Sequence, residues 1–162
     1  MAHTIPARRL LLRQLELEEA RALLEGRPHP ERPWAAGYPT EGTITAVDGF
    51  VRAVAAGVQP GPYGVYQLVL QDGTVVGDLG FYGPPTPAGV VTVGYGLAPG
   101  ARGHGYATEA LRALVAWALA QPGVDRIEAD TTHANLPSQQ VMERAGMRLV
   151  DHDTQLRYYA LP

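Results

Sequence analysis

The spacing of apolar residues divides the chain into short strands and amphipathic helices. Between residues 105 and 120, apolar side chains recur every three or four positions, which predicts a helix lying on a sheet. The same criteria predict further helices at 16–25, 43–56 and 136–145. Alternating or β-branched runs predict strands at 9–15, 63–70, 74–82, 90–98 and 126–132. One or two closing strands follow at 147–161.

The order of these elements predicts the fold class. Hairpins place neighbouring strands antiparallel, whereas strand-helix-strand steps place them parallel. The chain contains both kinds of step, so we expect an α/β or α+β fold with a central mixed sheet flanked by helices.

The predicted strand at 126–132 has one apolar and one acidic face. Ile127 and Ala129 point to one side, and Glu128 and Asp130 point to the other. The first side belongs in the core. The second brings two carboxylates together on one surface of the sheet.

Length, composition and charge narrow the class of protein. The 162 residues, 46% of them hydrophobic, fit a single domain over residues 1–162. A net charge of −3 gives no basic footprint for nucleic acid or an anionic membrane. Apolar runs long enough for a membrane span or a secretion signal are missing from the sequence. We therefore expect a cytoplasmic protein without nucleic acid or membrane partners.

Missing residue types exclude several chemistries. The chain has no cysteine, which excludes disulfides, thiolate metal sites and cysteine nucleophiles, and we expect no metal. All 13 basic residues are arginine, so a Schiff-base lysine and a phosphate-loop lysine are excluded as well. The chain contains one asparagine, Asn135, and one serine, Ser138, which lie three residues apart. Helix capping explains both, but their isolation favours a functional role.

A glycine-rich segment lies between the predicted strand at 90–98 and the helix at 105–120. The first amide groups of a helix lack internal partners and carry partial positive charge, so they bind phosphate groups well. Neither the Walker pattern nor the dinucleotide-binding pattern is present, and a packing turn remains the alternative. The candidate phosphate-binding residues are Arg102, Gly103, His104, Gly105, Tyr106 and Ala107.

Two motifs together resemble those of a known superfamily. Arg102, Gly105 and Ala107 match the pattern Arg/Gln-x-x-Gly-x-Gly/Ala, and Asn135 and Ser138 match Asn-x-x-Ser followed by a helix ending in glycine. The chain thereby resembles the GNAT superfamily of acetyl-CoA-dependent N-acetyltransferases, and within it the ribosomal-protein N-acetyltransferases. The close match covers about a third of the chain.

The resemblance implies a sheet that is splayed between its fourth and fifth strands, with acetyl-CoA in the opening. It assigns the pyrophosphate to the amides of residues 102–107. It assigns the pantetheine arm to Asn135 and to the exposed backbone around Leu97 and Ala98. Backbone N–H groups at this strand would stabilise the oxyanion of the reaction.

The resemblance also implies the acid and base roles. An ammonium group with a pKa of about 10 must lose a proton before it attacks, and a carboxylate usually accepts that proton. Asp130 and Glu128 are the candidate bases, and His133 is a further one. Ser138 is the candidate to protonate the leaving thiolate or to relay a proton to it.

The acceptor side is defined less sharply by the sequence. Trp34 and Tyr38 lie in a loop where the acceptor enters similar enzymes, so they are candidate substrate-binding residues. Gly96 replaces the bulky aromatic residue that often precedes Leu97 in this branch, which changes the expected shape of the pocket.

We therefore predict an N-acetyltransferase that moves acetyl from acetyl-CoA to a primary amine by direct attack in a ternary complex. The amine is a protein N-terminus or a small molecule. The alternative is a non-catalytic module that binds or senses acyl-CoA. A third hypothesis is an unrelated phosphate-binding protein. Homodimers are common among similar proteins, so a homodimer is a possible assembly.

Overall fold

A computed structural model describes residues 2–162, so Met1, the first residue of the predicted domain, lies outside the described part. Residues 2–162 form eight strands, four α-helices and one short 3-10 helix at Pro99–Ala101. The strands are β1 (Thr4–Pro6), β2 (Leu10–Gln14), β3 (Val65–Leu70), β4 (Val75–Phe81), β5 (Val90–Leu97), β6 (Arg126–Thr132), β7 (Arg148–His152) and β8 (Leu156–Leu161). The helices are α1 (Leu17–Leu24), α2 (Glu41–Ala55), α3 (Tyr106–Leu119) and α4 (Leu136–Arg144).

All strands belong to one sheet, in the order β1-β2-β3-β4-β5-β6-β8-β7. Every neighbouring pair is antiparallel except β5 and β6, which are parallel because α3 connects them. The predicted mixed, mostly antiparallel sheet with flanking helices is confirmed. The fourth and fifth predicted strands correspond to β5 and β6.

The sheet opens between β5 and β6. Their pairing runs from Val90 and Arg126 to Thr92 and Glu128 and ends there, although β5 continues to Leu97. The remaining half of β5 is therefore bonded to β4 on one side and faces a gap on the other. This is the splay that the resemblance implied.

The helices cover the two faces of the sheet and bury its apolar side chains. On α3, Ala110, Leu111 and Leu114 are fully buried, as the helical spacing predicted. On β6, Ile127 and Ala129 are buried as the alternation predicted. No helix within residues 2–162 is long and apolar enough to cross a membrane.

The hairpin of β3 and β4 follows the predicted turn chemistry. Gly73 has a φ of 93°, which glycine adopts readily, and the Asp72 side chain accepts the N–H of Thr74 at 2.9 Å. This hairpin places β4 in the centre of the sheet beside β5. Side chains on β4 thereby reach the edge of the opening.

Candidate active site

The backbone of β5 has free hydrogen-bonding groups in the gap. Tyr82 N–H donates to Thr92 C=O, and Ala98 N–H donates to Val76 C=O, both at the β4 side. Because successive residues of a strand point their backbone groups to opposite sides, Tyr95 and Leu97 direct theirs toward β6, where pairing has ended. Leu97, a residue predicted from the resemblance, therefore offers a backbone donor to the gap. The N–H of Ala98 is already bonded within the protein.

The predicted phosphate-binding segment forms the turn into α3. Gly103 and Gly105 both adopt a left-handed conformation, with φ of 83° and 78°. Gly105 is the N-cap of α3 and has no side chain to bond the first amides of the helix. These amides, including those of Tyr106 and Ala107, form a positively polarised concave surface that suits an anion.

Side chains on either side of this turn hold its shape. The His104 ring stacks on Tyr106 with centroids 5.4 Å apart, and its Nδ1 lies 3.0 Å from the carbonyl oxygen of Arg102. The Arg9 guanidinium lies over the Tyr106 ring, 4.8 Å from its centre. It also forms a salt bridge with Glu109, with 2.7 Å between Nε and Oε1. The predicted side chains of this segment thus fix the loop, while its backbone faces the cleft.

A cleft of about 640 Å³ joins the turn to the end of β5 and to α4. Its lining includes Leu97, Arg102 and Arg144. Most of the predicted cofactor-binding residues line this one cleft, namely Leu97, Arg102, Gly103, Gly105, Tyr106, Ala107, Asn135 and Ser138. The volume of the cleft, its two arginines and the free amides suit a ligand with a pyrophosphate and an extended arm.

Tyr95 and Ser138 form a hydroxyl pair in this cleft. Tyr95 Oη donates to the carbonyl oxygen of Ser138 at 3.0 Å and lies 2.8 Å from its Oγ. Because the phenol proton of Tyr95 is donated to the Ser138 carbonyl oxygen, the hydroxyl group of Ser138 can donate its own proton to Tyr95 Oη. Burial raises the pKa of Tyr95 to about 12, although the Ser138 hydrogen bond partly opposes this. No signal in the sequence predicts a role for Tyr95.

Asn135 acts as the cap of α4. Its Oδ1 accepts the N–H of Ser138 at 3.2 Å, so the predicted capping is confirmed. Asn135 also lines the cleft, and the cap fixes the position of Ser138 beside Tyr95. The two isolated residues of the sequence therefore act as one unit.

The predicted bases lie on the exposed side of β6. Glu128 pairs with Arg126 at 3.2 Å, and Asp130 is exposed. His133 accepts from Arg157 and lies 2.7 Å from the carbonyl oxygen of Asp153. None of the three lines the cleft that contains Ser138, and the base roles of Asp130 and Glu128 stay predictions.

A buried carboxylate lies on the neighbouring strand β4. Asp78 is only 6% exposed, and its Oδ2 accepts a hydrogen bond of 2.5 Å from Thr43 of α2. Burial raises the pKa of Asp78 to about 6, against the opposing effect of hydrogen bonds from Thr43 and Tyr38. Sequence reasoning missed it, although an aspartate inside an otherwise apolar strand is an unusual signal.

The two predicted acceptor residues occupy different surroundings. Tyr38 is buried and its phenol contacts Asp78 and Gln67. Burial and the charge of Asp78 raise the pKa of Tyr38 above its ordinary value. Trp34 packs edge-on against Tyr38 and lines a separate cavity of about 190 Å³ that also contains Glu19 and Arg32.

No cluster of three or more metal-ligating side chains occurs within residues 2–162. The groups described above are backbone amides, hydroxyl groups and carboxylates.

Comparison with known families matches residues 9–148 to an acetyltransferase (GNAT) domain. A curated relative, the uncharacterized N-acetyltransferase YjdG of Bacillus subtilis (strain 168), is 34% identical over 85 residues. The matched part is 52% of this chain and 51% of that protein. The match spans about half the length of this curated relative.

Solved structures show the same fold over nearly the whole chain. A GNAT-family acetyltransferase from Bacillus anthracis superposes with a TM-score of 0.68 at 22% identity, covering 98% of each chain. RimL, a ribosomal L7/L12 alpha-N-protein acetyltransferase in complex with coenzyme A, superposes with a TM-score of 0.70 at 20% identity. That match covers 98% of this chain and 97% of RimL.

Proposed function

Because this chain belongs to the acetyltransferase (GNAT) domain family, we propose that it transfers an acetyl group from acetyl-CoA to a primary amine. The observation that carries this proposal is the gap beside β5, which opens into the cleft that ends at the N-terminus of α3. The free backbone and the polarised amides fit the two ends of one extended acyl-CoA molecule.

Binding in this scheme uses mainly the backbone. The amides of 103–107 hold the pyrophosphate, assisted by the charge of Arg102, which lines the cleft. The free backbone groups of Tyr95 and Leu97 pair with the amide groups of the pantetheine arm. This arrangement places the thioester carbonyl at the end of β5.

The Leu97 N–H then stabilises the negative charge that develops on the carbonyl oxygen during attack. Removing one such donor from an enzyme typically costs about 10²–10³ in rate. When the carbon–sulfur bond breaks, Ser138 and Tyr95 are placed to deliver or relay a proton to the sulfur, because their hydroxyl groups are bonded to each other.

The acceptor is a primary amine, either of a small molecule or of a protein N-terminus. RimL, which has the same fold, acts on the α-amine of a ribosomal protein, and this supports the second option. We expect transfer by direct attack within a ternary complex, as the family resemblance implies. The absence of cysteine excludes a cysteine acyl-enzyme and agrees with this route.

Calorimetric titration of acetyl-CoA tests the cofactor site. Thr108→Glu adds a negative charge in the first turn of α3, where acidic residues favour the helix but repel a pyrophosphate. We expect this variant to bind acetyl-CoA at least about tenfold more weakly than the wild type. Ala116→Glu, an exposed position farther along α3, is the matched control and should bind normally. Equal binding by both variants would contradict the assigned pyrophosphate site.

Release of coenzyme A separates catalysis from sensing. An enzyme releases the thiol faster when an amine is added, and N-acetylated amine accumulates in equal amount. A non-catalytic acyl-CoA-binding module binds acetyl-CoA but shows no dependence on the amine.

A further inference from the structure

The cavity around Asp78 adjoins the predicted reaction centre. Asp78 lines a cavity of about 160 Å³ that also contains Tyr95 and Gly96, and the acyl-CoA cleft contains these same two residues. Asp78 on β4 is the direct cross-strand partner of Gly96 on β5. Since directly paired residues share a face of the sheet, the carboxylate lies beside the opening over Gly96.

Gly96 leaves this opening free. A Cβ atom added there would meet no atom of the described residues within 4 Å. Tyr95 points to the opposite face, where it contacts Ser138. Only the backbone of β5 therefore separates the carboxylate from the cleft that is proposed to hold the acetyl group.

The surroundings of Asp78 are unusual for a purely structural residue. Within residues 2–162 its partners are the hydroxyl groups of Thr43 and Tyr38, and no arginine neutralises it. Burying a carboxylate without a cation is costly, so such groups are often found at functional sites. The other titratable side chains that line its cavity are Tyr82 and Tyr95.

The cavity continues into an apolar groove along α2. This groove has a volume of about 520 Å³ and shares Phe81 and Tyr82 with the Asp78 cavity. Its remaining walls are apolar or neutral and include Phe50, Val54 and Tyr63. A ligand whose amine reaches Asp78 would therefore place its other end against apolar side chains.

We infer that Asp78 binds the ammonium group of the acceptor and accepts its proton, and that the acceptor is a primary amine carrying an apolar group. This inference rests on the acetyltransferase function proposed above. It adds a carboxylate on β4 to the predicted candidates Asp130 and Glu128, which lie on the same face of the sheet but on β6, beyond β5.

The proton balance of the reaction is complete. The ammonium nitrogen has three protons, and the first moves to an oxygen of Asp78 as the N–H bond breaks. The freed lone pair then forms the bond to the acetyl carbon. Collapse of the adduct breaks the carbon–sulfur bond, the second proton goes to the sulfur, and the third stays on the amide product. Asp78 releases its proton to solvent afterwards.

Asp78→Asn separates this role from a structural one. Asparagine keeps the size of the side chain and an oxygen that accepts the Thr43 hydrogen bond, but it cannot take the proton. With hexylamine as acceptor, we expect kcat to fall about 10²-fold or more. The acidic limb of the kcat–pH profile should also disappear, while the affinity for acetyl-CoA stays unchanged. A kcat and pH profile like those of the wild type would overturn the inference, as would loss of the limb in Asp130→Asn alone.

Two further measurements keep the inference testable if Asp78→Asn folds poorly. Gly96→Val places a side chain in the opening, where a Cβ meets no atom of residues 2–162 within 4 Å, so transfer to hexylamine should be lost; normal transfer would contradict the assigned route. Wild-type protein should acetylate hexylamine at least about tenfold more efficiently than 6-aminohexanoate, because burying a carboxylate in an apolar groove is costly. Equal efficiency would overturn the acceptor class. Failure of the wild type to bind acetyl-CoA would instead refute the proposed function.

Discussion

Asp78 should lower the stability of the protein above about pH 6, and its replacement by asparagine should remove this effect. The pKa of Asp78 is raised from 3.8 to about 6 by burial. This rise of about two in the pKa corresponds to a free-energy difference of about 3 kcal/mol between the protonated and the charged forms. The folded state therefore holds this proton more tightly than the unfolded state does.

The sign of the effect follows from this difference. Between about pH 4 and pH 6 the unfolded chain has lost the Asp78 proton and the folded chain still holds it, so the free energy of unfolding falls as the pH rises. Above about pH 6 both states are charged and the loss is complete. Asp78→Asn should thus be more stable than the wild type at pH 7, by up to about 3 kcal/mol.

Urea unfolding at several pH values between 4 and 8 measures the difference. Tryptophan fluorescence reports the transition, and Asp72→Asn is the control. The hydrogen bond from the backbone of Thr74 holds the pKa of Asp72 below its ordinary value, so this substitution should leave the slope between pH 5 and 7 unchanged. A gap between Asp78→Asn and the wild type that is constant across this range would refute the assignment of a raised pKa.

Four other substitutions test the geometry of the fold and the site. Tyr95→Phe and Ser138→Ala should each lower kcat about tenfold. Because the two hydroxyl groups act as a pair, the kcat of the double variant should be no lower than that of the less active single variant. Additive losses in steady-state kinetics would contradict this. Thr40→Ala removes the N-cap of α2 and should cost about 1 kcal/mol in thermal or urea unfolding. Gly73→Ala should destabilise more, since its φ is 93° and a Cβ would lie 2.6 Å from the Glu31 carbonyl oxygen; an unchanged Tm would contradict this.

The sequence predicted most of the fold because its strongest signals are local. The helical spacing in α3, the alternation in β6 and the Asp72-Gly73 turn each depend on neighbouring residues, and each is confirmed. Strand β1 was missed, because three residues that include Pro6 are too short for a periodic pattern. Proline there is tolerated since β1 is an edge strand.

The proposed cofactor side has stronger signals in the sequence than the proposed acceptor side, for the same reason. The turn from Arg102 to Ala107 is one continuous segment, and Asn135 and Ser138 lie within one helical turn. Asp78 and its partners come from distant parts of the chain, and β4 is buried on both faces, so no alternation marks a special position. Its contact with Thr43 spans 35 residues and forms only when α2 packs on the sheet.

The early end of the β5–β6 pairing leaves an unsatisfied strand edge in the interior of a sheet. Free edges readily pair with a strand of another protein and so promote aggregation, which is why edge strands are commonly shielded. Here the unpaired part of β5 is short and lies in a cleft that α4 also lines. In the proposed function, the pantetheine arm enters this cleft and supplies the missing hydrogen-bond partners. A strand edge that would otherwise be an aggregation hazard then serves to bind a ligand.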